Sequence, residues 1–236
     1  MKKMKKIIAL VLALACAVAL AACGGGMEEH FEQLEYVSYC DLFYNGNTAD
    51  YANKKFTKTG TFAAIRDMYN DGITRYYVWG YADTTKCCCY QWEFVAPDGW
   101  EIPENGSTIT VKGTLKANTE ALDGYWFEDC TVTTDKAFTS PDVDYDLTRI
   151  SPTLVYVQIA NMLQFPDEFN DKTMRVYGRA LTAATIQHPY YDNMWQLDFV
   201  WTGDVPAIGQ YMVIDGAFSV QNGSGILNAS SLQFVD

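Results

Sequence analysis

From residue 55 to the end of the chain, apolar and polar positions alternate in short runs separated by glycine, proline, asparagine and aspartate, the pattern of half-buried strands. It predicts strands over 55–65, 74–82, 88–95, 107–115 and 124–132. A second set follows over 173–182, weakly near 185, and over 193–201, 210–220 and 225–234. A different period precedes each set. Val155, Ile159, Met162 and Leu163 recur at helical spacing until Pro166 stops the run, and Phe31, Leu34, Val37 and Leu42 do so before Asn45-Gly46-Asn47.

The two sets are copies of each other. Residues 50–60 line up with 168–178, matching Asp50 with Glu168, Tyr51 with Phe169, Lys54 with Lys172 and Gly60 with Gly178. Residues 91–95 line up with 196–200, each beginning with glutamine and ending Phe-Val. Pro103, Gly106 and Gly113 share their spacing with Pro206, Gly209 and Gly216, and 127–132 can be laid over 227–232. Four blocks in one order mark a tandem duplication. It divides the chain into a first module at 30–138, an acidic, proline-containing linker at 139–152 and a second module at 153–236.

Five strands in so short a module suggest a sheet closed on itself, because closure removes the edges that would otherwise aggregate. Gly60 and Gly178, inside the first strand of each copy, suit the bend that closure needs. A leading helix and five strands, in paired copies, resemble the oligonucleotide/oligosaccharide-binding (OB) fold. The whole chain resembles bacterial lipoproteins that carry tandem anticodon-binding-like OB domains. That resemblance implies a mainly β protein of two OB-like five-stranded barrels, each preceded by a helix. It supplies no catalytic residues.

The beginning of the chain carries an address. Residues 1–6 are basic, 7–19 are apolar, and Leu20-Ala21-Ala22-Cys23 is similar to the lipobox of bacterial lipoproteins. The resemblance implies a signal peptide over 1–22, a lipidated Cys23 and a glycine-rich tether over 23–29. The location implied is extracytoplasmic, with the lipid anchor in the cell membrane. The apolar run of 7–22 is shorter than the ~20 residues of a spanning helix.

Charge narrows the partners. With 17 basic and 29 acidic residues the net charge is −12, and no basic stripe offsets it, so nucleic acid is not an expected partner. An acidic protein gains nothing from anionic lipid, which leaves the acyl chains to hold it at the membrane.

Motifs for hydrolysis or group transfer are missing: there is no GxSxG, no HExxH and no glycine-rich phosphate loop. The two histidines, His30 and His188, fall in different modules and both read as exposed. Acidic runs such as Glu128-Asp129 and 142–146 read as solvated faces, and the latter lacks the glycine and terminal glutamate of a calcium loop. The expectation is a non-enzymatic binding protein that engages a protein partner or small ligand at the cell envelope and requires no cofactor.

Cysteine offers a rival reading. Cys87, Cys88 and Cys89 are consecutive on the third strand of the first copy, and the second module has none. Alternation sends Cys88, Tyr90, Trp92 and Phe94 to one face and Cys87, Cys89, Gln91 and Glu93 to the other. Cys130 lies on the fifth strand, beside the third in an OB barrel, and Cys40 lies on the leading helix. In an exported protein the first expectation is a disulfide from Cys130 to a member of the triplet, Cys88 foremost, with the other thiols free. The alternative is a Zn²⁺ or Cu⁺ site from Cys87, Cys89 and Cys130 with Cys40 or Glu93, which would make the chain a metal-handling or thiol-redox accessory.

Aromatic residues are the remaining surface candidates: Tyr76, Tyr77 and Trp79 in the first copy, Tyr190 and Tyr191 in the second. Tyr76 and Tyr77 are adjacent, so alternation exposes one of them to a sugar ring or a partner protein. A glycan-binding module is the third functional expectation.

Overall fold

A computed structural model describes residues 30–70, 72–82, 84, 88–139 and 142–235; Cys23, its tether and Cys87 lie outside the described residues. The protein is mainly β, with two six-stranded sheets. The first half contains β1 (Glu32–Gln33), α1 (Tyr36–Phe43), α2 (Thr48–Tyr51), β2 (Lys55–Asp67), β3 (Ile73–Tyr81), β4 (Cys89–Phe94), β5 (Thr108–Ala117) and β6 (Tyr125–Lys136). The second contains β7 (Tyr145–Asp146), α3 (Pro152–Gln164), β8 (Thr173–Thr182), β9 (Thr185–Gln187), β10 (Gln196–Val200), β11 (Tyr211–Gln221) and β12 (Ser224–Val235). Short 3-10 turns, Leu147–Arg149 and Pro166–Phe169, flank α3.

Pairing in each sheet returns to the strand where it began. In the first, β2 pairs with β3, β3 with β4, β4 with β6, β6 with β5, and β5 again with β2. Only the β4–β6 pair in this circuit is parallel. The second sheet repeats the circuit as β8, β9, β10, β12, β11 and β8, with β10–β12 parallel. Even the extra strand recurs: β1 runs parallel to β2 with Glu32 opposite Phe56, and β7 parallel to β8 with Tyr145 opposite Met174. Phe56 and Met174 are equivalent positions of the sequence repeat, so duplicated sequence has become duplicated pairing. β7 falls inside 139–152, the stretch read as a linker, and belongs to the second sheet.

The matched glycines mark places where strands approach too closely for a side chain. A Cβ at Gly60 would press on the Trp79 carbonyl, and one at Gly178 on the Gln187 carbonyl. Gly113 and Gly216 repeat the relation, with carbonyls of Glu128 and Asn228 at 2.9 and 2.5 Å from the position a Cβ would take.

Each half has an apolar core. Phe62, Trp92, Ile109 and Phe127 form the centre of the first, closed by Leu42 and the rings of Tyr39 and Phe43 from α1. The helical pattern read there needs correcting at its start. Phe31 and Leu34 precede the helix, Leu34 being held by its own amide on the Thr57 carbonyl at 2.9 Å, and Val37 is 76% exposed.

The second core does not stop at its own half. It joins Met174, Leu197, Ile214 and Phe218 to Leu154, Ile159 and Met162 of α3, and continues into Ile65, Tyr77 and Trp79 of the first half. Helix α3 begins with the Ser151 cap and Pro152 at its first position, and Pro166 follows its end. Asn161 on α3 donates from Nδ2 to the Arg66 carbonyl at 2.7 Å. The helix is therefore buried on two sides, and the outer face of β2 and β3, with Gln91 of β4 at its start, is where it docks.

Candidate functional site

The cysteine strand alternates as its sequence requires. Tyr90, Trp92 and Phe94 enter the first core, while Cys89, Gln91 and Glu93 take the opposite face. That face is not open to solvent, because α3 and the second half cover it. Glu93 accepts from Arg75 Nη1 at 2.8 Å and from the Leu122 amide at 2.9 Å, and Arg75 Nε also donates to Asp67 at 2.9 Å. Burial opposes ionisation of Asp67, but hydrogen bonds from Asn70 and Arg75 outweigh it and hold that carboxyl below its ordinary range. Glu93 is thus part of a buried ion-pair network with Arg75 and Asp67.

Strand register corrects the disulfide expectation. Phe94 lies opposite Phe127, so Cys130 falls beyond the C-terminal end of β4 while Cys88 precedes its N-terminal end. The intervening strand is ~20 Å long at ~3.3 Å per residue, whereas a bridge needs Cα atoms within ~7 Å. Adjacent strands are not enough; the two thiols sit at opposite ends of them. Cys130 instead donates to the Phe127 carbonyl at 3.4 Å, and burial pushes its thiol up to about 12. Cys89 is half-buried at the start of β4 and Cys40 lies on α1. Among the described residues no group of three or more His, Cys, Asp or Glu is placed to hold a metal ion.

The first-copy aromatics are also covered. Tyr76 turns into the first core against Phe62, their rings 6.1 Å apart and 21° from parallel, with Trp100 beside them. Tyr77 is 3% exposed and Trp79 5%, both in the cluster that includes α3. Adjacent tyrosines do face opposite ways, Tyr77 buried and Tyr76 half-buried against the first core. Tyr190 and Tyr191 remain open, at 49% and 56% exposure.

Tyr190 belongs to a cleft of about 570 Å³ at the junction of the two halves. Leu147, Ile150 and Val155 form an apolar wall from the approach to α3. Arg175 and Tyr177 project from the outer face of β8, His188, Tyr190 and Trp195 come from the β9–β10 connection, and Tyr81 reaches in from the end of β3. Tyr177 neighbours Tyr190 and stacks on Tyr211, with ring centres 6.2 Å apart; burial, then its tyrosine neighbours, pushes its phenol up to about 12.

Charge in this cleft cancels locally. Arg175 makes two parallel bonds to Asp215, Nε to Oδ1 at 2.7 Å and Nη2 to Oδ2 at 2.8 Å. Its remaining nitrogen lies 3.8 Å from Asp146, which Arg149 approaches at 3.6 Å. The hydrogen bonds from Arg175 hold the Asp215 carboxyl below its ordinary range.

His188 is 1% exposed, not a solvated loop residue. Its Nδ1 accepts the backbone amides of Tyr190 at 3.1 Å and Tyr191 at 3.0 Å, so the ring acts as the cap of the turn that follows Pro189. Burial, and secondarily Arg179, lowers its pKa and keeps it neutral. With Nδ1 accepting, the proton resides on Nε2. That Nε2–H and the indole N–H of Trp195 are both buried with no hydrogen-bond partner among the described residues.

The aromatic pattern of the sequence reached Tyr81, Tyr190 and Trp195 and missed two further lining residues, Arg175 and Tyr177. A signal for both lay in the repeat. Outward positions Thr57, Thr59 and Thr110 of the first copy are occupied in the second by Arg175, Tyr177 and Val213. A threonine lattice, with Thr59 and Thr110 hydroxyls 2.8 Å apart, has become an aromatic and cationic surface. Compared with protein-family models, curated proteins and solved structures, the chain finds no match in any of the three.

Proposed function

We propose that this chain is a lipid-anchored, extracytoplasmic binding protein without enzymatic activity, built of two OB-like barrels, which takes a small ligand in the cleft between them. Two five-strand circuits, each with a single parallel pair, support the OB reading, because that pair is what joins the third and fifth strands of such a barrel. The lipobox-like stretch ending at Cys23 supports the anchor.

The observation that carries the binding role is the cleft itself. It is concave, walled by apolar and aromatic side chains of the second half with Tyr81 from the first, and furnished with a few polar groups, which is the usual character of small-molecule sites. The thiol-metal reading has no comparable support among the described residues, where no three candidate ligands are grouped.

The test separates anchor from pocket. Cys23→Ser should release the protein from membranes or leave it unprocessed while leaving ligand capture intact. Val155→Trp should fill the cleft, so that Nile red, a neutral apolar dye, brightens with the wild type and not with the variant. Equal brightening in both proteins would remove the cleft from the proposal.

A further inference from the structure

The cleft contains more information than its volume. Arg175, the one charged side chain among the described lining residues, is spent on Asp215 behind it and approaches Asp146, which Arg149 also approaches, so among the described residues no unpaired charge lines the cleft even though the whole chain is at −12. His188 is held neutral by the two amides on Nδ1. An ion entering this cleft would lose hydration and find no counter-charge to replace it.

Two donors nevertheless await an acceptor. His188 Nε2–H and Trp195 Nε1–H belong to lining residues that are 1% and 5% exposed, and neither has a partner among the described residues. A buried donor left without an acceptor is costly, and native proteins rarely retain one without a water or ligand to satisfy it. Here the two belong to rings whose centres are 6.1 Å apart, and the half-exposed Tyr190 ring packs 6.0 Å from His188, so that ring must move aside for a ligand to reach them.

We propose that the cleft receives an uncharged ring-bearing ligand whose edge presents acceptor oxygen, read by His188 Nε2–H and Trp195 Nε1–H while the ring face lies against Tyr177 and Tyr190. This rests on the cleft reading given under the proposed function. A neutral sugar and a neutral nucleoside share this chemistry: a flat face for aromatic stacking and a hydroxyl or carbonyl edge for the donors.

Calorimetric titration of the full chain with cellobiose and, separately, with uridine tests it, and the arm that responds names the source. The variants are Trp195→Phe, which keeps a ring and deletes one donor, and His188→Asn, whose amide oxygen replaces Nδ1 as the turn cap and deletes the other. The expected result is binding of one neutral probe, weakened at least tenfold in each variant, with an unchanged far-ultraviolet circular dichroism spectrum and urea midpoint as proof that the fold survives. If H188N fails to fold, W195F decides alone. Nile red binding without either neutral probe would overturn this inference and leave the cleft reading standing; loss of Nile red as well would overturn both. Tighter binding of glucuronate or uridine monophosphate than of the neutral counterpart, or unweakened binding by the variants, would also overturn it.

Discussion

Ser151 donates its hydroxyl to Gln91 Oε1 across 2.9 Å while accepting the Leu154 amide at 3.3 Å. Both residues are buried, one before α3 in the second half and the other on β4 in the first. One hydroxyl therefore starts a helix and fastens that helix to the neighbouring sheet. The geometry of the cleft depends on this, because Pro152 and Val155, in the first turn of α3, form part of its wall.

Ser151→Ala should accordingly cost about 2–3 kcal/mol, combining a lost helix cap with a buried Gln91 oxygen left unpaired. Ser151→Gly keeps most of the capping preference and isolates the second contribution. Urea unfolding of both variants measures the difference; a loss below about 0.5 kcal/mol in S151A would mean that neither role matters.

The strands and the duplication were legible because both depend on local rules. Alternation placed Tyr90, Trp92 and Phe94 in the core, and Gly60 and Gly178 marked equivalent strand crossings in the two copies. What escaped was the docking of one half on the other. Residues 77, 79, 91 and 93 alternate as if their outer face met water, and nothing in their periodicity announces that a helix from residues 152–164 lies on them. Polar Gln91 and Glu93 look solvated in sequence because their partners, Ser151 and Arg75, are distant along the chain. The cleft escaped for the same reason: Tyr81 and Tyr177 approach only once the halves are joined.

Gly60→Ala and Gly178→Ala should destabilise alike, each by about 3 kcal/mol, near the top of the range for overpacking. The obstacle at each is a backbone carbonyl of the neighbouring strand, which cannot retreat without opening the ladder. Gly99→Ala is the control. Its φ of +74° makes alanine strained, yet nothing lies within 4 Å, so about 1 kcal/mol is expected. Thermal melts of the three variants should rank them in that order.

Two carboxylates should pull acid stability in opposite directions. Hydrogen bonding from Arg175 lowers the folded pKa of Asp215, so its stabilisation is whole above about pH 4 and is lost as pH falls through the folded value. Burial raises the folded pKa of Asp123, against the hydrogen bond from Gln91, so its contribution is present below about pH 4 and is lost as pH rises through the folded value. Asp215→Asn should flatten the acid side of a Tm–pH profile. Asp123→Asn should raise Tm near neutrality and leave the acid side in place. Matching profiles for the two variants would refute this assignment.

The thiols should react in an order set by exposure and by ionisation. Cys88 is exposed at the approach to β4, whereas Cys130 is partly buried, donates to the Phe127 carbonyl and has its thiol pushed up to about 12 by burial. Since the thiolate is the nucleophile, iodoacetamide at pH 8 should modify Cys88 in the folded protein and reach Cys130 only after denaturation. Oxidation of the folded monomer should leave Cys88 and Cys130 unlinked, because the parallel register of β4 and β6 sets them at opposite ends of the strand, ~20 Å apart. Peptide mapping by mass spectrometry reads both outcomes. A Cys88–Cys130 crosslink formed without unfolding would contradict the Phe94–Phe127 register, and with it the closed pairing of the first sheet.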